Sequence, residues 1–349
     1  MVVLKFLFGL VFVVAFSSQV IGSNICTTYD NKVGSCIMAR DCPKAREILK
    51  KRPPSAEDRK FLVRMYCRPP SRNVKYVCCE VGFEYLHQQN RPNGCGEFGT
   101  DKSLNGRVIK EHSRPWLALL MYNSSNVIEF GCGGSLISKR FVLTAAHCVI
   151  ESTPFQVQLG MHNLFDNNCD NNVKANCPQN FGIQQIIPHE HYSATRFVND
   201  IALLKLSTDV QFKVHINAIC LPTSIELRES AKNQSHYKAA GWGLTQYGNY
   251  SNVAVEIMVY RRNCNDHESE KTYISDNTKI CAGGNINDTC NGDSGGPLMF
   301  PADHYGAQRF VQFGIVSYGA KQCASGQPAI YTNVVEFLSW ISDKIMKLN

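Results

Sequence analysis

Three short segments hold residue types that together suit nucleophilic acyl transfer. Leu143-Thr144-Ala145-Ala146-His147-Cys148 sets an imidazole among small residues beside a cysteine, as if held against a tight wall. Asn199-Asp200-Ile201-Ala202-Leu203-Leu204 puts a carboxylate just before an apolar run, and a carboxylate carried into a core needs a partner. Cys290-Asn291-Gly292-Asp293-Ser294-Gly295-Gly296-Pro297 surrounds a serine with glycines, which let the backbone turn its N–H groups toward a bound oxygen. Singly, the histidine and the aspartate read as ordinary satisfied groups; the Gly-Asp-Ser-Gly-Gly run is sharper. In the order His, Asp, Ser they meet the needs of a serine nucleophile. Ser294 attacks, His147 takes and returns the proton, and Asp200 fixes the imidazole tautomer and stabilises its cation. The N–H groups of Gly292 and Ser294 form the oxyanion hole, where one donor is typically worth about 3–4 kcal/mol.

Such groups need a rigid frame. From Pro115 onward the chain shows short β-like runs between turns, among them Leu117–Tyr122, Phe141–Thr144, Ile201–Leu206, Lys238–Trp242 and Phe313–Tyr318. The pattern predicts an all-β barrel or sandwich. At the end, Val335, Leu338, Ile341, Ile345 and Leu348 follow helical spacing and predict an amphipathic helix.

The chain has 349 residues, enough for two or three domains. With 44% apolar and 19% charged residues it can build a sizeable core, and global disorder is excluded. Sixteen cysteines indicate paired thiols and an oxidising compartment. The net charge of +7 is uneven: residues 26–80 hold 13 Lys/Arg against 6 Asp/Glu, and residues 81–349 hold 22 against 23. A nucleic-acid partner is therefore not indicated. Residues 1–22 read as a secretory signal, with Lys5 ahead of the apolar run Phe6 to Phe16 and a cut after Gly22. No later stretch is long and apolar enough to span a membrane, so a secreted chain is expected. Sequons at Asn123, Asn233 and Asn249 fit that route.

Six cysteines crowd into residues 26–79: Cys26, Cys36, Cys42, Cys67, Cys78 and Cys79. Six allow about 15 pairings, and spacing alone does not choose. A unit this small needs staples, and the C-x2–4-C pairs of a zinc site are missing from it. Neighbouring Cys78 and Cys79 must staple in two directions. A short helix is expected near Lys44–Lys50, followed by a loop through Pro53-Pro54. Residues 80–102 read as a linker holding Cys95. The terminal Cys-Cys and the spacing C-x9-C-x5-C-x24-C-x10-C-C resemble the clip domain of arthropod serine proteases. That resemblance implies the pairs Cys26–Cys78, Cys36–Cys67 and Cys42–Cys79.

Ala145-Ala146-His147-Cys148, Asp200-Ile201-Ala202-Leu203-Leu204, Gly241-Trp242-Gly243 and Gly292-Asp293-Ser294-Gly295-Gly296-Pro297 occur in order. Residues 103–349 thereby resemble a chymotrypsin-fold serine protease of the trypsin type. The resemblance implies two six-stranded antiparallel β-barrels with the site between them and a C-terminal helix. It implies the pairs Cys132–Cys148, Cys264–Cys281, Cys290–Cys323, Cys95–Cys220 and Cys169–Cys177. It places Asp288 at the base of the S1 pocket, where a carboxylate would pair with an incoming Arg or Lys. Ser317, Tyr318 and Gly319 match the wall that pairs with substrate backbone. Tyr318 stands where the family usually has Trp, and Ala329 where trypsin-like enzymes usually carry Gly. A methyl there costs a long P1 side chain about 1–3 kcal/mol.

By the same resemblance the chain is a zymogen, and its new amino terminus pairs with Asp293 after a cut between Lys102 and Ser103. Leu104 and Gly106 fit the family pattern, whereas Ser103 forfeits most of the roughly 1.5–3 kcal/mol gained by burying Ile or Val. Cleavage at Arg107, before Val108-Ile109, is the alternative. The resemblance implies no cofactor. Relatives often bind calcium after Leu159-Gly160, but Met161 replaces a usual carboxylate here, which argues against that ion. The implied partners are protein substrates in haemolymph (a downstream protease zymogen, prophenoloxidase or a Spätzle-like precursor), an upstream activating protease and a serpin. The competing reading is a non-enzymatic clip protein acting as a binding cofactor, with Ser103 and Ala329 as its support. A digestive trypsin explains the clip domain poorly.

Overall fold

The computed structural model describes residues 25–28, 33–39, 42–51, 53–67, 76–79, 94–97, 107–125, 127–165, 176–196, 198–244, 250–264, 277–284, 292–304, 306–319 and 326–348. The expected signal 1–22 lies outside these residues, as do Lys102, Ser103, Cys169, Asn249, Asp288, Cys290 and Cys323.

The N-terminal unit is a three-stranded antiparallel sheet of β1 (Ile25–Thr27), β2 (Val33–Met38) and β3 (Tyr76–Cys79), with helices α1 (Pro43–Lys50) and α2 (Ala56–Met65). Successive strand residues point to opposite faces. Adjacent Cys78 and Cys79 therefore reach different partners, Cys26 and Cys42, while Cys36 bonds Cys67. Between the staples lies a small core of Cys42, Ala45, Ile48, Leu62, Met65 and Val77. The expected loop after the first helix is instead α2. Its start is a capping box: the Ser55 hydroxyl accepts from Asp58 N at 3.0 Å and Asp58 accepts from Ser55 N at 3.1 Å. Satisfying two orphan donors outweighs the breakers Pro53-Pro54 just before it.

The larger part holds two antiparallel sheets. β5 (Leu117–Ser124), β6 (Val127–Leu136), β7 (Phe141–Thr144), β8 (Gln156–Leu159), β9 (Gln179–Pro188) and β10 (Ala202–Leu206) close into a barrel in the order β10-β7-β6-β5-β8-β9. Leu120, Leu136, Phe141, Leu143, Leu159 and Leu203 fill it and are fully buried. The second sheet runs β13-β16-β15-β14-β11-β12-β4. Its strands are β4 (Arg107–Val108), β11 (His236–Gly241), β12 (Val255–Tyr260), β13 (Lys279–Ala282), β14 (Pro297–His304), β15 (Ala307–Tyr318) and β16 (Ala329–Asn333). Six of them form a second barrel that closes where Arg261 bridges Ala282, Arg262 N donates to Cys281 O and Gly283 N donates to Tyr260 O. The seventh, β4, is an added edge strand paired through Val108 with Val255.

Helix α3 (His147–Ile150) follows β7, α4 (Ile225–Asn233) precedes β11, and α5 (Val334–Leu348) ends the fold. Val335, Leu338, Ile341 and Ile345 of α5 are buried as their spacing predicts. The Cys95–Cys220 bond fixes the segment 94–97 beside the second sheet, where Phe310 N donates to Gly96 O at 2.9 Å. Close by, Arg114 Nε meets Glu256 Oε2 at 2.6 Å and Lys238 Nζ meets Glu256 Oε1 at 2.5 Å. The Arg114 guanidinium also stacks 4.3 Å from the Phe310 ring centre. This buried ion triad ties the entering chain to β11 and β12.

Candidate active site

The pairing of β7 with β10 does the first positioning. Thr144 lies opposite Ala202. His147, three residues beyond Thr144, is thereby carried beside Asp200, two residues ahead of Ala202. Asn199 takes a left-handed backbone (φ 56), and its side-chain amide donates to His191 O at 2.8 Å. Asn tolerates that conformation better than most residues, so the turn aims Asp200 inward at small cost. Asp200 is 1% exposed. Its carboxylate meets His147 Nδ1 at 2.8 Å and accepts from His147 N at 2.9 Å.

The second barrel completes the clamp. Ser317 on β15 donates to Asp200 Oδ2 at 2.5 Å, and Thr332 on β16 donates to the Asp200 carbonyl at 2.7 Å. Burial alone would raise the Asp200 pKa. The hydrogen bond and charge of His147, with the Ser317 hydroxyl, outweigh it and hold the carboxyl below its ordinary value. For His147 burial again opposes the charged form, and Asp200, helped by Glu151, raises the imidazole above its ordinary value.

The Ser294 turn docks on the same edge. Gly133 N of β6 donates to Ser294 O at 2.7 Å, and Gly295 N donates to Val316 O at 2.8 Å. Gly295 has φ 78, and a Cβ there would overlap Thr144 Oγ1 and Gly133 O, so a side chain is excluded twice over. Ser294 itself is half-buried. The Cys132–Cys148 bond staples β6 to α3 beside His147. Gly292 has φ 94, and next to it Asp293 accepts from Gly243 N at 3.0 Å. A Cβ on Gly243 would overlap the Asp293 carboxylate.

Of the expected pocket wall, the Ser317 hydroxyl is directed at Asp200. Tyr318 is half-buried, with Lys279 Nζ 3.3 Å from its hydroxyl and 5.5 Å from its ring centre. Ala329 is 2% exposed, and a Cβ on Gly319 would touch its methyl at 3.5 Å. Cys264 bonds Cys281, and Cys177 is also disulfide-bonded. Asn123 and Asn233 are exposed. Met161 and Leu164 pack against the core, and Asn163 Oδ1 accepts from Phe165 N, so these side chains serve the loop itself. Sequence reading missed Asn199, Thr332, Gly133 and the second use of Ser317. Asn199 had a local signal, as an Asn before a buried carboxylate. The others act on residues far off in the chain and had none.

Comparison with known proteins agrees with this architecture. The trypsin family model matches residues 103–341, and the model of the regulatory CLIP domain of proteinases matches residues 26–79. The chain is 35% identical to serine protease grass of Drosophila melanogaster, over 91% of this chain and 90% of that protein. It is 34% identical to phenoloxidase-activating factor 3 of Holotrichia diomphalia, over 92% and 93% of the two chains. The crystal structure of the Drosophila Grass clip serine protease of the Toll pathway superposes with a TM-score of 0.72 at 34% identity, covering 94% of this chain and 98% of that one. The chain belongs to the trypsin-family serine proteases that carry an N-terminal CLIP domain. It is a serine endopeptidase with the two-barrel chymotrypsin fold.

Proposed function

We propose that the chain is a secreted zymogen whose cut form hydrolyses proteins after Arg or Lys, with His147, Asp200 and Ser294 as its catalytic residues. The carrying observation is the Asp200–His147 contact, clamped from the second barrel by Ser317 and Thr332, with the Ser294 turn held on the strand edge beside it. In the reaction, Ser294 Oγ bonds to the scissile carbonyl carbon while its proton passes to His147 Nε2. The carbonyl electrons move onto oxygen, facing the N–H groups of Gly292 and Ser294. Collapse breaks the C–N bond, and the imidazolium gives its proton to the departing amine. Water then attacks the acyl-enzyme by the same route and frees Ser294. Asp200 stays ionised throughout, consistent with its depressed pKa.

Specificity for basic P1 residues is assigned to Asp288, with Ser317, Tyr318, Gly319 and Ala329 along the pocket. The activating cut is placed between Lys102 and Ser103. The alternative at Arg107 is disfavoured because Arg107–Val108 is already paired with β12 and Ile109 is buried. A protease needs its substrate segment extended and free. In the uncut chain Asp293 Oδ1 accepts from Gly243 N, and the new amino terminus is proposed to pair with this same carboxylate. Residues 1–22 serve as the secretion signal, 26–79 as the docking clip domain, 80–102 as the activation linker and 103–349 as the protease. Asn123, Asn233 and Asn249 are the proposed glycosylation sites. The setting is a haemolymph cascade of innate immunity. An upstream protease makes the cut, a protease zymogen, prophenoloxidase or Spätzle-like precursor is the substrate, and a serpin ends the activity.

The test is to cut the recombinant zymogen at Lys102 and add an Arg or Lys amide substrate. Turnover that disappears in Ser294→Ala is expected. A cut wild-type protein no faster than Ser294→Ala overturns the reading and leaves the binding-cofactor role.

A further inference from the structure

We propose that a basic cleft on the second barrel, apart from the catalytic groups, binds a sulfated polysaccharide. The cleft encloses about 620 Å³. That lies within the range of roughly 300–1,000 Å³ found for ligand sites. Arg228 and Lys232 line it from α4, Arg261 and Arg262 from the end of β12, and Lys279 from β13; among the described residues the one carboxylate in the lining is Glu336. Five cations against one carboxylate contrast with residues 81–349 as a whole, where 22 Lys/Arg face 23 Asp/Glu. The positive charge is gathered here, with Lys232 also meeting a neighbouring carboxylate on its own helix, Glu229, at 2.8 Å.

The cleft is also built. The Cys264–Cys281 bond pins one wall. Arg261 Nη1 donates to Ala231 O at 2.7 Å and Lys232 O at 3.0 Å, neutral carbonyls that orient the guanidinium without cancelling its charge. Arg228 Nε is buried with no hydrogen-bond partner, a costly state that an anion would relieve. Guanidinium forks match the oxygens of a sulfate ester in pairs. A peptide is the weaker fit. Rim amides at Arg261, Arg262 and Asn333 already donate to Ser235, Cys281 and Thr278 carbonyls, so these positions offer no open edge for an added strand. Recognition must run through side chains, which suits a ligand bearing charge on every unit.

The probe is a heparin oligosaccharide, titrated against the full uncut protein at several salt concentrations. The cleft variant is Arg228→Gln, Lys232→Gln, Arg262→Gln; the control is Lys50→Gln, Arg59→Gln, Lys60→Gln on the basic N-terminal unit. The cleft variant should bind at least about tenfold more weakly, from the loss of charge-assisted contacts. The control should stay within about twofold of wild type. Weakening in the control with the cleft variant unchanged overturns the proposal. So does a poly-glutamate peptide that binds the cleft as tightly as heparin, or full retention of binding by desulfated heparin. Unaltered thermal unfolding of both variants shows that the comparison is between folded proteins.

Discussion

Replacing Asp200 by Asn tests the catalytic reading most directly. The carboxylate takes hydrogen bonds from His147 N, from Ser317 Oγ and across the 2.8 Å contact with His147 Nδ1. An amide keeps one acceptor oxygen and turns an NH₂ group toward one of these donors. If that group faces His147, the ring must present Nδ1 as acceptor and carry its proton on Nε2, the atom that should receive the serine proton. In Ser-His-Asp sites this swap costs about 10⁴ in rate. That is a barrier increase of about 5 kcal/mol. The pH profile should move as well. Hydrolysis needs neutral His147, so the rate rises with pH through its pKa. Asp200 raises that pKa against burial. Removing the charge leaves burial as the largest influence, and the rising limb should shift toward lower pH. The assay is kcat/KM on an Arg amide substrate from pH 5 to 9 for cut wild type, Asp200→Asn and Ser294→Ala. A variant keeping more than about a tenth of wild-type activity, or an unmoved limb on a measurable residual rate, would refute the reasoning.

The same pair gives the folded state a pH window. The raised His147 contributes stability below its unfolded value of about 6.5 and loses it as pH climbs through its folded value. The depressed Asp200 contributes above its unfolded value of about 3.9 and loses it as pH falls through its folded value. Urea unfolding of the uncut protein should show the wild-type advantage over Asp200→Asn largest between roughly pH 4 and 6.5 and shrinking on either side. Glu256→Gln leaves buried Arg114 and partly buried Lys238 without that carboxylate and should cost about 3–5 kcal/mol in the same assay; a loss under about 1 kcal/mol contradicts the triad's role. Ala329→Gly should raise kcat/KM for Arg substrates about 5- to 100-fold if its methyl crowds the P1 chain, and equal rates would remove Ala329 from the pocket argument. Lys102→Gln should block activation and Arg107→Gln should not; a heavy chain beginning at Val108 would reverse that assignment.

Much of the fold was legible because its signals are local. The α5 spacing of Val335, Leu338, Ile341 and Ile345 marks one buried face wherever the helix docks. The α2 helix was equally local, but Pro53-Pro54 is a breaker signal immediately before it, and the Ser55–Asp58 capping box that starts the helix outweighs that signal. The seventh strand β4 was not legible. Two residues carry no periodicity, and they become a strand only because Val255 offers an open edge.

By itself, the sequence determined which atoms can react. Ser294, His147 and Asp200 have the right chemistry, and the glycines beside Ser294 permit a backbone that other residues resist. It also indicated that Cys78 and Cys79 face apart, because neighbouring side chains in an extended strand point to opposite faces. Tertiary structure alone decided that Ser317 and Thr332 clamp Asp200 across 117 and 132 residues of chain, and that Gly133 holds the Ser294 turn. It also decided that cations from one helix and two strands share one cleft. Contacts between distant segments depend on which strand edges close against each other, and no single segment encodes that closure.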